Sequence, residues 1–366
     1  MIFKEAIKNS LSNYLLNRYS HRGLADDHKM LTSYPRTALT KEEKEQVCNL
    51  WGQIHPHPEM GLRYYEIQKA VDVFDERLVA GSVYYPLILR SLNPKEYYKT
   101  LIHKSLFRHI LSDLPQPITL ASSTNRSILD IENKPISKQA LIDFLLNYKK
   151  DYIIKKSVET SGGRGVQFIK NSDRTNLNAI IESFGDNFVI QEIISGSKDL
   201  EKFNPSSLNT LRISTLMLNG EVSLCACVFR VGAKGQILDN LQQGGLMIGI
   251  DTETGRLKKN GLAIDGTKET ERNGFIFEGF QIPNFDKVID AAFEGHRRIA
   301  PCALASWDFA LDINNTPRFI EVNLYWPGIR VQQLAGGPIF QNRTQEVIDF
   351  VKDKKIKNRF FFIEKI

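Results

Sequence analysis

Cysteine is scarce in this chain: Cys48, Cys225, Cys227 and Cys302 are four among 366 residues. None belongs to a C-x-x-C pair, which argues against a disulfide framework or a cysteine zinc site and for a reduced, cytoplasmic protein. No apolar run approaches the ~20 residues that span a bilayer. The opening MIFKEAIKNSLSNYLLNRYSHR is amphipathic and mixed in charge. It lacks the apolar core and small-residue cleavage site of a secretory leader. Charge of one sign does not dominate: 48 Lys and Arg face 42 Asp and Glu, a net +6. That excess suits an anionic small molecule or a membrane-facing surface and does not demand nucleic acid. Internal repeats and low-complexity linkers are missing too. The hydrophobic share of 42% and charged share of 25% are those of a globular chain. The length suits two or three packed lobes better than one core.

Residues 1–114 read as mainly helical. Thr40 is an N-cap type residue followed by Lys41, Glu42 and Glu43, and Val47, Leu50 and Trp51 continue at helical spacing. Asn93-Pro94-Lys95-Glu96 opens another helix, with Tyr97, Leu101 and Leu106 expected on its apolar face. Leu114-Pro115-Gln116-Pro117 breaks this texture. Residues 115–195 form a second unit, with a helix capped by Ser137 and strands at 152–155, 166–169 and 188–194. Residues 196–366 form a third. There Asn219-Gly220 joins two strands as a hairpin, a helix covers 285–298, and 306–311 pairs with 318–323. The fold class is α+β, rich in antiparallel strands, behind a helical front.

Two segments carry chemistry. Thr160-Ser161-Gly162-Gly163-Arg164-Gly165 lies between two expected strands. Its glycines let backbone N–H groups converge on one anion. It is neither a Walker A loop nor a dinucleotide fingerprint, since no helix follows it. Alone, such a loop is more often a tight hairpin; Lys155, ending the apolar strand before it, favours an anion. The second segment ends the chain's last hairpin. Glu321 and Asn323 are two apart on a strand and share a face. With Asn314-Asn315 as a two-residue turn, Asp308 falls directly opposite Glu321. Opposed carboxylates repel unless a cation lies between them, and two carboxylates with an amide oxygen describe a Mg²⁺ site. A register shift of one would instead turn one acid to solvent. His55-Pro56-His57 reads as a loop, not a metal site.

From about 115 to 350 the chain resembles the ATP-grasp superfamily, and within it the sugar-transfer-associated branch. The segments IIKKSVETSGGRGV, VIQEIISGSKDL, SLNTLRI and WDFALDINNTPRFIEVN carry the resemblance in that order, and DNLQQGGLMIGIDTETG resembles the branch. It implies two antiparallel-sheet lobes enclosing ATP. Lys155 would hold the α/β phosphates, with Lys156 the competing candidate. The loop Ser161, Gly162, Gly163, Arg164 and Gly165 would close over them as a lid. Gln191, Glu192 and Ile194 belong to the strand beside adenine, and Asp199 would bind the ribose, although Lys198 occupies the nearer matching position. Asp308, Glu321 and Asn323 would hold Mg²⁺. Arg212, with Lys155, is the catalytic candidate, facing the γ-phosphate and the oxyanion. Arg230, Asn240, Gly244 and Gly245 would shape the acceptor pocket, and His103 and Lys104 are further acceptor candidates. The implied activity joins an amine to a carboxylate on a sugar, nucleotide sugar or glycan through an acyl phosphate. The alternatives are a kinase on the same fold and a non-catalytic nucleotide sensor.

Overall fold

The computed structural model describes residues 2–158, 165–172, 174–235, 241–325 and 327–357. Helices dominate the front: α1 (Ile2–Met30), α2 (Lys41–Trp51), α3 (Leu62–Val71), a helical stretch over 81–92, and α4 (Lys95–Leu101). Thr40 forms a capping box with Glu43, which satisfies two backbone N–H groups at the start of α2. The apolar face expected for α4 is corrected. Tyr97 is exposed and Tyr98 is buried, stacked on Tyr325 at 4.8 Å, and the helix ends before Leu106.

The middle of the chain builds a six-stranded sheet in the order β3-β2-β1-β6-β4-β5. Its strands are β1 (Thr119–Thr124), β2 (Ser127–Leu129), β3 (Pro135–Ile136), β4 (Tyr152–Lys156), β5 (Val166–Ile169) and β6 (Phe188–Glu192). Helices α5 (Lys138–Asn147) and α6 (Leu177–Phe184) cover one face. Alternation sends Tyr152 and Ile154 into that helix-covered core and leaves Ile153 and Lys155 on the open face. Lys156, on the other parity, is exposed at the strand end.

A seven-stranded sheet follows, in the order β11-β10-β9-β8-β7-β14-β15. Its strands are β7 (Thr210–Leu218), β8 (Glu221–Val231), β9 (Leu246–Ile250), β10 (Leu257–Leu262), β11 (Lys268–Glu269), β14 (Leu304–Leu311) and β15 (Pro317–Asn323); β12 (Glu271–Arg272) and β13 (Phe275–Ile276) pair separately. Asn219 and Gly220 both take positive φ, the conformation a two-residue hairpin requires. Helix α7 (Phe285–Arg298) covers one face, where Trp307 Nε1 donates to Thr215 Oγ1 at 2.8 Å. The other face carries α8 (Ile329–Gly336), and α9 (Thr344–Lys357) follows it. Gly249 admits α8, because a Cβ there would lie 2.2 Å from the Ala335 carbonyl oxygen.

Helix α8 fastens the helical front to this sheet through buried polar groups. Gln332 Nε2 donates to Ser214 Oγ at 2.9 Å and to the Ala226 carbonyl at 2.7 Å. Gln333 bonds both the N–H and the carbonyl of Val79 at 3.0 Å. Arg330 pairs with Asp27 of α1 and donates to Tyr85 OH at 2.9 Å. Asp27 also accepts from the Gly81 N–H at 2.8 Å. All these side chains are buried polar groups, charged, amide or hydroxyl, so each needs the partner it has.

Candidate active site

A cleft of about 720 Å³ lies between the two sheets. Lys155 of β4 faces it from the six-stranded lobe. Asp308, Glu321, Asn323, Arg212 and Arg230 face it from the seven-stranded one. Glu321, Asp308 and Arg212 are directly opposite one another across β15, β14 and β7, so the three side chains form one row on one face.

The ribbon reaches this register by a different route from the two-residue turn expected. Asn315 N–H donates to the Asp312 carbonyl at 2.8 Å, and Asp312 N–H to the Thr316 carbonyl at 3.0 Å. Asn315 takes φ 58°. This is a three-residue loop closed by a left-handed residue. Near the loop Phe309 pairs with Phe319, yet the next pair is Asp308 with Glu321, so Ile320 is an unpaired bulge. The bulge lets Phe319 face the core while Glu321 faces the cleft, although the two residues are two apart.

Each acid already has cationic partners. Asp308 accepts from Arg212 Nε at 2.8 Å and Arg212 Nη2 at 2.7 Å, and from Arg230 Nη1 at 3.1 Å. Burial pushes the Asp308 carboxyl up, but the two guanidiniums outweigh it and hold the group below its ordinary range. Glu321 pairs with Lys104 Nζ at 3.1 Å. Lys104 comes from the helical front, where its backbone N–H donates to the Ser157 carbonyl at the end of β4. Sequence reading placed Lys104 only beside an acceptor; the ion pair puts it with the carboxylates. Asn323 Nδ2 lies 3.4 Å from Asp308 Oδ2. Burial lowers the Lys155 ammonium to about 8, with Glu321 opposing the shift and Lys104 adding to it. Among the described residues no three His, Cys, Asp or Glu side chains gather as a metal cluster; the ribbon offers two carboxylates and an amide.

The other expected residues fall out as follows. Glu192 and Ile194 line the cleft with Ile153, Phe168 and Ile193, giving it an apolar end. The Glu192 carboxylate is turned to Tyr148 OH and Lys150. Gln191 is buried and donates to Thr119 Oγ1 at 3.1 Å, outside the lining. Lys156 is also outside it. Asp199 is directed away from the cleft, to Asn315 Nδ2 at 3.1 Å and Lys202, while Lys198 lines the wall. Gly244 is an exposed turn with φ 87°, and neither it nor Gly245 lines the cleft. Gly165 accepts from Lys156 N–H at 2.9 Å. Ser161, Gly162, Gly163, Arg164 and Asn240 lie outside the described residues. Sequence reading missed the far end of the cleft, which Met30 of α1, Met247, Ile264, Arg330 and Val331 line. No motif marks those residues, because they converge from four distant segments.

No curated protein matches the chain. Among solved structures, an L-amino acid ligase from Bacillus licheniformis shares 16% identity over 69% of this chain and 48% of its own, with a TM-score of 0.40. The ATP-grasp ligase PsnB, complexed with minimal precursor, Mg and ADP, shares 14% over 71% and 62%, with a TM-score of 0.41. D-alanyl-alanine synthetase A from Vibrio cholerae shares 12% over 72% and 68%, with a TM-score of 0.46. The chain thus spans about half the length of the first of these proteins and 62% of the second. A family model described as sugar-transfer associated ATP-grasp matches residues 87–349, and on that match the chain belongs to the sugar-transfer associated ATP-grasp family.

Proposed function

We propose that this chain is an ATP-dependent ligase that joins an amino acid or amine to a carboxylate on a sugar or surface-polysaccharide precursor through an acyl phosphate. The observation that carries this reading is the charge of the cleft. Lys104, Lys155, Arg212 and Arg230 bring four cations to its middle, against the two carboxylates Asp308 and Glu321. An excess of buried positive charge suits a polyphosphate.

The donor set also fits a magnesium ion. Asp308 is held ionised, Glu321 stands opposite it, and the Asn323 amide is on the same face. These three residues would hold the ion, which supplies neutralisation of phosphate charge. Lys155 and Lys104 attract the phosphates from the other side. The apolar end at Ile153, Phe168 and Ile193 suits a flat base, beside the backbone of Glu192 and Ile194. Arg212 and Arg230 orient Asp308 and border the far end of the cleft, where the acceptor would lie against Met30, Met247 and Val331. There a carboxylate oxygen attacks the γ-phosphorus and ADP leaves; the amine nitrogen then attacks the acyl carbon and phosphate leaves. Enclosure between the lobes keeps water from the acyl phosphate.

Supplying candidate acids with ATP and hydroxylamine tests this reading. The expected product is a hydroxamate, formed in step with ADP. ADP release with no hydroxamate, unaffected by any amine, would instead mean phosphorylation of a hydroxyl.

Lys155 gives the reading a pH signature. In the free protein its ammonium titrates near 8. A bound polyphosphate favours the charged form and raises that value, so binding takes up a proton above pH 8. ATP affinity is expected to fall about tenfold between pH 7 and pH 9. Lys155→Met should bind more weakly at pH 7 and lose that slope. Titration calorimetry in buffers of different ionisation enthalpy reads the proton directly; no uptake at pH 9 would contradict the assignment.

A further inference from the structure

The exposed face of α1 is not used by the cleft or by the core. Ile7, Leu11 and Tyr14 are 53%, 40% and 61% exposed, and Leu15 and Leu16 begin the buried side. Steps of three and four residues continue the same outward face through Arg18, His21, Arg22 and Lys29, all exposed. One acidic residue, the half-buried Asp26, stands at the edge of this face, four residues after Arg22, while the fully buried Asp27 is turned inward to Arg330. Among the described residues no acidic side chain pairs with Arg18, Arg22 or Lys29. One helix thus presents apolar side chains followed by unneutralised cations.

The charge of the whole chain is gathered at its two ends. Residues 1–22 hold Lys4, Lys8, Arg18 and Arg22 against Glu5, a net +3. Residues 352–366, KDKKIKNRFFFIEKI, hold six basic residues against two acidic, a net +4. Since the chain totals +6, everything between is net −1. The second segment interleaves its charges with Phe360, Phe361, Phe362 and Ile363; residues 358–366 enter here by sequence alone. Both ends issue from one core: Leu15 and Leu16 of α1 and Val347, Ile348 and Val351 of α9 belong to the same buried cluster, and both helices pack on residues 84–88.

We infer that this end of the molecule docks on a bilayer surface bearing anionic lipid headgroups, with α1 lying in the interface. Apolar side chains enter the headgroup boundary, while lysine and arginine are drawn to negative lipids. No helix among the described residues is long and apolar enough to cross a membrane. A second copy of the chain is the competing occupant, but unneutralised cations on the face disfavour pairing it with itself.

The test is sedimentation of the full chain with vesicles of phosphatidylcholine alone or with about a third phosphatidylglycerol. Binding is expected to the anionic vesicles only and to be reversed by high salt. Arg18→Gln and Arg22→Gln should each weaken it about fivefold. Leu11→Ser/Tyr14→Ser should remove most of it, with thermal unfolding unchanged because both residues are exposed. Equal binding to neutral vesicles, no binding to either, or indifference to both sets of variants would overturn the inference. So would a dimer, seen by light scattering, that only Leu11→Ser/Tyr14→Ser dissolves.

Discussion

Replacing Glu321 by Gln should reduce ATP-dependent ADP release by ~10³ or more, a loss of ~4 kcal/mol in barrier lowering. The substitution keeps the size of the side chain and much of its hydrogen bonding. It removes one of only two carboxylates in a row that ends on Arg212. With the charge gone, the ion pair with Lys104 is lost and the middle of the cleft becomes more positive by one. Nucleotide binding measured with EDTA should therefore survive or tighten while turnover collapses. That split separates loss of metal-assisted chemistry from loss of structure. It also separates an enzyme from a nucleotide sensor, whose binding response would be nearly indifferent to Glu321. Near-normal turnover in Glu321→Gln would remove the ribbon from the mechanism.

Asp27→Ala should destabilise the fold by about 3–5 kcal/mol, because it strands a buried guanidinium. Arg330 is 3% exposed, and its Nε pairs with Asp27. The variant also takes the acceptor from Gly81 N–H. Burial pushes the Asp27 carboxyl above its ordinary range in spite of Arg330, the mark of a pair whose desolvation is only partly offset. Replacing both partners, as Asp27→Leu with Arg330→Met, should thus recover most of the loss. Urea unfolding gives the comparison: the midpoint should drop in the single variant and return in the double, with the slope unchanged. A single variant within about 1 kcal/mol of the parent would mean that water or another group has reached Arg330.

Local chemistry made several parts of this fold readable in the sequence. Thr40 three residues before Glu43 specifies a capped helix start, and Asn219-Gly220 specifies a tight hairpin, whatever surrounds them. Lys155 and Lys156 were not separable by motif, since either can end an apolar strand. What separates them is the side on which α5 and α6 pack, which strand alternation alone does not tell. Tyr97 and Tyr98 pose the same problem on a helix, and the choice was made by Tyr325, more than two hundred residues away. Asp27 with Arg330, and Lys104 with Glu321, are pairs joined only by the folded chain. No spacing announces them. The far end of the cleft was invisible for the same reason, being lined from α1, β9, a loop and α8 at once.

The unpaired Ile320 has a consequence for how such proteins are recognised. The thirteen-residue interval between Asp308 and Glu321 reflects a three-residue loop plus one surplus residue. A relative with the same loop and no surplus residue would present the same two acids face to face at an interval of about twelve. Patterns that fix the count would therefore pass over chains whose chemistry is unchanged. Aligning such ribbons from the inward aromatic at Phe319 and the acid that follows it, with a gap allowed between them, would recover them.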